Sequence, residues 1–104
     1  MTNMARKNNS KTTNRKITHG KKQTFSITAP TARSVQLVGD FTHWTEQPIS
    51  LHQAGNGVWQ VTVELKPGEH HYRFLVDGQW HDDPECPLHV PNPYGTRDAV
   101  RQVG

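Results

Sequence analysis

With 104 residues, 32% of them hydrophobic, and a mean hydropathy of -0.83, the chain has room for one domain with a thin core. Its single cysteine, Cys86, excludes an intramolecular disulfide, a cysteine-based zinc cage and an iron–sulfur cluster. No run approaches the roughly twenty apolar residues that span a bilayer, and no apolar leader opens the chain, so a soluble cytoplasmic protein is expected. The formal charge of +3 hides a division: residues 1–22 hold seven basic side chains and no acid, whereas residues 23–104 hold five basic side chains against nine acids, a balance of -4.

The first segment, residues 1–22, is dominated by Asn, Thr, Ser, Lys and Arg with no apolar periodicity, and cannot offset the entropy of ordering itself. It is expected to be a disordered basic tail. A solubilising leader is the favoured role; an anionic partner such as RNA is the less favoured one.

From Gln23 onward short alternating runs are separated by Gly, Pro, Asn and Asp, the pattern of antiparallel β-structure. Phe25 and Ile27 alternate in a first strand ended by Pro30, and Val35 and Leu37 in a second that stops near Gly39-Asp40. A short third strand centres on Ile49 and Leu51. The clearest strand is Val58 to Leu65, with Trp59, Val61, Val63 and Leu65 on one face. Lys66-Pro67-Gly68-Glu69 then predicts a hairpin into a strand from about His70 to Asp77, where Tyr72, Phe74 and Val76 share a face and Arg73 points away. A last strand contains Ala99 to Val103. About seven strands without any sustained helical period predict an all-β, immunoglobulin-like antiparallel β-sandwich over residues 23–104.

Residues outside the alternation are the functional candidates. Trp59 is in phase with a core face; Trp44 and Trp80 are not, and both follow turn residues. A loop indole offers a broad, rigid binding surface, although both tryptophans could instead cap the end of a thin sandwich. Arg73 and the polar, Pro-rich stretch from Asp82 to Asp98 give these rings company suited to a sugar, whose CH-rich face stacks while its hydroxyls need donors and acceptors. Nucleobases could stack on the same rings, but the acidic domain argues against a phosphate backbone.

The runs Val35-Gln36-Leu37-Val38-Gly39-Asp40-Phe41-Thr42-His43-Trp44, Gly57-Val58-Trp59, Leu65 through Trp80, Asp82-Asp83-Pro84 and Asn92-Pro93-Tyr94-Gly95 closely resemble the family 48 carbohydrate-binding modules. That family includes the glycogen-binding domain of the AMP-activated protein kinase beta subunit and the early-set domains of glycogen branching and debranching enzymes. The resemblance covers about residues 23–103. It implies an early-set β-sandwich that binds α-1,4-linked glucans: glycogen, starch or maltooligosaccharides. By the same resemblance Trp44 and Trp80 match the aromatics that stack on glucose rings, and Arg73 a basic residue that hydrogen-bonds the sugar. Tyr94 matches an apolar side chain that pushes into the ring of the oligosaccharide, and Thr96 a hydroxyl contact. Asp98 stands where the family commonly has Asn, and a carboxylate accepts hydrogen bonds from hydroxyls but cannot donate. A glycogen-metabolising enzyme or a kinase is the implied protein partner, in which case the chain acts as a targeting or scaffold subunit.

Catalysis is not expected. Glycoside hydrolysis needs two carboxylates across a cleft, and Asp82, Asp83 and Glu85 lie in a Pro-punctuated loop of a small sandwich that can build only a shallow groove. No cofactor is implied, and no metal: His70 and His71 are adjacent on a strand and point to opposite faces, and the other histidines are scattered. Cys86 reads as a plain surface thiol.

Overall fold

The computed structural model describes residues 20–104; the expectation of a disordered tail falls on residues 1–19, which lie outside the described residues, and on the three that follow. The fold begins earlier than expected, because strand β1 (Lys21–Thr28) already contains Lys21 and Lys22. They pair with Leu65 and Glu64, so backbone pairing extends the strand beyond its apolar pattern.

The remaining strands are β2 (Val35–Gly39), β3 (Ile49–Ser50), β4 (His52–Gly55), β5 (Val58–Leu65), β6 (Gly68–Val76), β7 (Gln79–His81), β8 (His89–Pro91) and β9 (Arg97–Val103). All pairings are antiparallel. One sheet runs β3-β2-β6-β9-β8, with β7 also on β6; the other runs β1-β5-β4. The expected all-β sandwich is what forms.

Two local expectations change. The segment after Leu65 is not a hairpin: β5 and β6 belong to different sheets, so Lys66 and Pro67 carry the chain across the sandwich. The expected strand around Ile49 and Leu51 is split in the same way. Ser50 pairs with Gln36 in one sheet and His52 with Gln60 in the other, while buried Leu51 between them donates its N–H to the Val35 carbonyl.

Between the sheets lie Phe25, Ile27, Trp59 and Leu65 from one side and Val35, Leu37, Tyr72, Phe74, Ala99 and Val103 from the other. Trp59 is core as its phase requires, and its indole N–H donates to the Ala29 carbonyl at 3.1 Å. Arg101 closes one edge: its guanidinium lies 4.2 Å from the Phe25 ring centroid and donates to Gln23 Oε1 and the Thr24 carbonyl, joining the sheets by cation–π contact and hydrogen bonds.

The turn at Asp77-Gly78 decides where β7 goes. Both residues have positive φ (51° and 80°), the primed geometry that matches strand twist; Gly adopts it freely and Asp tolerates it. Asp77 also accepts the N–H groups of Arg33 and Ser34 at 2.8 and 2.9 Å, and these bonds, Ser34 foremost, hold its carboxyl below its ordinary pKa. A depressed folded-state pKa stabilises above the unfolded value, and the contribution is lost as pH falls through the folded value. Asp77→Asn keeps an acceptor and tolerance of the left-handed region but removes the charge. It is expected to flatten the acid limb of a melting-temperature profile taken from about pH 7 to pH 2; an acid limb as steep as that of the wild type would contradict this.

Candidate functional site

In a sheet, directly paired residues point to the same side, so register identifies the outer face of the larger sheet. Val38 pairs with Arg73, Trp80 with Leu75, and Val90 with Asp98. Since Tyr72 and Phe74 point inward, these six point outward. The hairpin at Asp77-Gly78 folds Trp80 back beside Leu75, where its indole is 46% exposed.

Arg73 ties this face together. Its side chain is only 13% exposed, with the guanidinium carbon 5.2 Å from the Trp80 ring centroid. Nη2 lies 3.1 Å from Asp82 Oδ1, and Nη1 makes a long 3.4 Å contact to Thr96 Oγ1. The approach to Asp82 is an ion pair off the hydrogen-bonding direction, which leaves Arg73 Nε and Asp82 Oδ1 buried without a hydrogen-bond partner. Asp82 also faces Arg97 at 3.9 Å. Arg73 is therefore held against the ring by a charge partner, not free at the surface as the sequence alone indicates.

Trp44 reaches its place by a different route. Gly39 ends β2 where a Cβ would lie 2.5 Å from the His71 carbonyl oxygen and 2.8 Å from the Phe41 ring, so only glycine fits. Two short 3-10 turns follow, Asp40–Thr42 and Trp44–Glu46, and the second folds back against β2. Buried Thr42 clamps them: its hydroxyl accepts the Gly39 N–H at 3.0 Å and donates to the Trp44 carbonyl at 2.7 Å. His43 and Trp44 both have left-handed backbone, φ 51° and 56°, which costs a non-glycine residue about 1 kcal/mol or more. The indole is half-buried.

The six candidates are thus gathered unevenly. Arg73, Trp80 and Thr96 are in mutual contact through Arg73. Asp98 joins through Asn92, whose amide nitrogen donates to Thr96 Oγ1 at 2.8 Å and to Asp98 Oδ1 at 2.9 Å. Tyr94, 88% exposed, stands at the tip of the loop from β8 to β9 and touches the group only through its backbone. Trp44 makes no ring contact with the others among the described residues. The strand leading to it, β2, flanks β6 on the side opposite β7, which at about 4.8 Å per strand sets the two strands roughly 10 Å apart.

Several residues escaped sequence reasoning. Asn92 is invisible to periodicity; the sequence shows it only as part of a polar, Pro-rich loop and of the Asn92-Pro93-Tyr94-Gly95 run, with no role of its own. Asp83 is buried and accepts the Tyr72 hydroxyl at 2.6 Å, a partnership across eleven positions that no pattern reveals. Burial, together with the hydrogen bond to Asp83, pushes the Tyr72 phenol well above its ordinary pKa. Cys86 is not a plain surface thiol. It is partly buried against the core and donates to the Val100 and Leu88 carbonyls at 3.2 and 3.3 Å. His70 and His71 do diverge: His70 faces Asp40, whereas His71 lies on the outer face, 3.7 Å from Asp98 Oδ2 and 3.5 Å from Glu69.

Among the described residues no helix is long and apolar enough to cross a membrane. The family model described as the glycogen recognition site of AMP-activated protein kinase matches residues 24–103. The beta-1 subunit of 5'-AMP-activated protein kinase from Rattus norvegicus is 37% identical over 71 residues, covering 68% of this chain and 25% of that protein. The chloroplastic protein PTST homolog 2 of Arabidopsis thaliana is 40% identical over 67 residues, 64% of this chain and 12% of that protein. The 1,4-alpha-glucan branching enzyme of Thermosynechococcus vestitus is 36% identical over 56 residues, 53% of this chain and 7% of that enzyme. The chain thus spans about a quarter of the rat kinase subunit, and less of the other two. With nearly all of its sandwich matched, the chain belongs to the family of the glycogen recognition site of AMP-activated protein kinase, a carbohydrate-binding module.

Proposed function

We propose that the outer face of the larger sheet binds α-1,4-linked glucans without acting on them chemically. The observation that carries this reading is the exposed Trp80 indole, backed on one side by the Arg73 guanidinium, with the exposed Thr96 hydroxyl held beside that guanidinium. A sugar ring stacks on the free indole face while its rim meets those groups. The left-handed Trp44 supports the reading too, since backbone strain at an aromatic persists where the surrounding structure enforces it, and such sites cluster at ligand clamps. Trp44, Trp80 and Tyr94 supply apolar surface; Arg73 and Thr96 orient the sugar. A neutral polysaccharide needs no charge complementarity, which suits an acidic domain.

Two stacked rings, at about 1 to 3 kcal/mol each by analogy with base–aromatic stacking, give a dissociation constant in the roughly micromolar to millimolar range once association entropy is subtracted. Glycogen raises the apparent affinity by presenting many chain ends together. Calorimetric titration with maltoheptaose tests the reading: saturable heat is expected, and its absence at millimolar ligand overturns it. That the chain matches a portion of kinase subunits and of a branching enzyme supports a second part of the reading, in which it holds a partner enzyme on glucan. Its one cysteine, hydrogen-bonded as a thiol, suits a reducing compartment such as the cytoplasm.

A further inference from the structure

Asn92 organises the loop between β8 and β9 with nearly all of its hydrogen-bonding capacity. Its side-chain oxygen accepts the N–H groups of Tyr94 and Thr96 at 3.0 and 3.1 Å. Backbone N–H groups can only donate, so the atom facing them is the oxygen and the orientation of the amide is fixed. Its nitrogen consequently faces Thr96 Oγ1 at 2.8 Å and Asp98 Oδ1 at 2.9 Å, one N–H for each. The Asn92 backbone N–H also donates to the Thr96 carbonyl at 3.0 Å, closing the loop.

The bookkeeping at Thr96 then has one solution. A hydroxyl carries one proton and two acceptor lone pairs. The Asn92 amide nitrogen and Arg73 Nη1, the latter at 3.4 Å, approach Oγ1, and both are donors that cannot accept. Among the described residues no acceptor takes the Thr96 proton, and Thr96 is exposed.

We propose that Asn92 is a positioning residue that locks the Thr96 hydroxyl as an outward hydrogen-bond donor toward an acceptor oxygen of the sugar. Asp98 serves this lock rather than the sugar: it is 7% exposed, one oxygen is held by Asn92 and the other faces His71. The aspartate in place of the family's usual asparagine is then a matched half of a pair, since the acceptor at 98 faces the donor at 92. The sugar half of the proposal rests on the glucan-binding reading; the lock itself does not.

The decisive variant is the swap N92D/D98N. A carboxylate at 92 still accepts both backbone N–H groups, and an amide at 98 donates back to it, so the loop and the melting temperature are retained. The carboxylate, however, faces Thr96 Oγ1 as an acceptor and turns the hydroxyl proton inward. The dissociation constant for maltoheptaose is expected to weaken about tenfold, the worth of one hydrogen bond. Thr96→Val should match that loss and Thr96→Ser should bind like the wild type. Wild-type affinity in the swap or in Thr96→Val overturns the proposal. Neutron diffraction from the unliganded protein reads the lock directly. A Thr96 proton directed at Asn92 or Asp98 refutes it, whereas an outward proton with no wild-type heat leaves the lock standing and refutes the glucan reading.

Discussion

Trp80→Ala is expected to abolish retention of the protein in an amylopectin or glycogen affinity gel while leaving its melting temperature within a few degrees of the wild type. The separation of the two effects follows from position. Trp80 lies on β7, a three-residue strand that pairs only with β6, and its indole is nearly half exposed, so the core loses little when it goes. Binding loses the exposed ring that Arg73 backs. At about 1 to 3 kcal/mol per stacked ring, removal weakens the dissociation constant by roughly 5- to 150-fold, which carries a ligand bound near millimolar strength beyond detection in a gel. Trp80→Phe should retain part of the affinity, since a smaller ring still stacks. Trp44→Ala is a less clean probe, because that indole is half-buried and its loss also costs packing. Retention should be insensitive to salt, as stacking on a neutral sugar releases no counterions; a steep salt dependence would instead point to a polyanion. Wild-type mobility shifts in a folded Trp80→Ala variant would remove the stacking platform from contention.

The sequence discloses those features that rest on local alternation or turn chemistry. The long strands β5 and β6 show themselves because burial of one face imposes a period of two, and Trp59 and Tyr72 inherit their core positions from it. Asp77-Gly78 shows itself because few residue pairs tolerate two consecutive positive φ angles. The short edge strands β4, β7 and β8 do not, since three or four residues are too few to express a period and their pairing is set by neighbours far along the chain. The same limit hides the change of sheet at Lys66 and Pro67: a turn signal says that the chain reverses, not which sheet receives it. At the site, the rings at 44 and 80 stand out by failing to fit any apolar face. Arg73 is visible only as an outward side chain, because its ion pair with Asp82 and its stacking on Trp80 depend on β7 folding back. Polar partnerships such as Tyr72 with Asp83, or Asn92 with Asp98, leave no pattern at all.

Asp83→Ala is expected to cost about 3 kcal/mol of stability, which for a domain of this size lowers the melting temperature by roughly 12 to 24 °C. Asp83 is 5% exposed and accepts two bonds, from the Tyr72 hydroxyl at 2.6 Å and from the Glu85 N–H at 3.0 Å. Tyr72 is fully buried, edge-on to Phe25 and Phe74, so its hydroxyl loses the acceptor it is packed against once the carboxylate is gone. An orphaned buried donor costs about 1 to 3 kcal/mol, and a hydrogen bond to a charged group contributes about 1.5 to 3 kcal/mol, so either effect alone is measurable. Tyr72→Phe leaves the carboxylate with one oxygen unpartnered and should cost about 2 kcal/mol. The pair is non-additive: removing both partners eliminates the orphan, so Tyr72→Phe/Asp83→Ala should lose less than the sum of the single losses. The consequence reaches the binding face. Asp83 anchors the segment between Trp80 and Cys86, and the residue before it, Asp82, holds Arg73 against the indole. At temperatures where the Asp83→Ala variant is still folded, its maltoheptaose affinity should fall as well, because Asp82 loses its fixed position. A variant that melts within two or three degrees of the wild type would show that Tyr72 finds another partner, and would detach the core from the site.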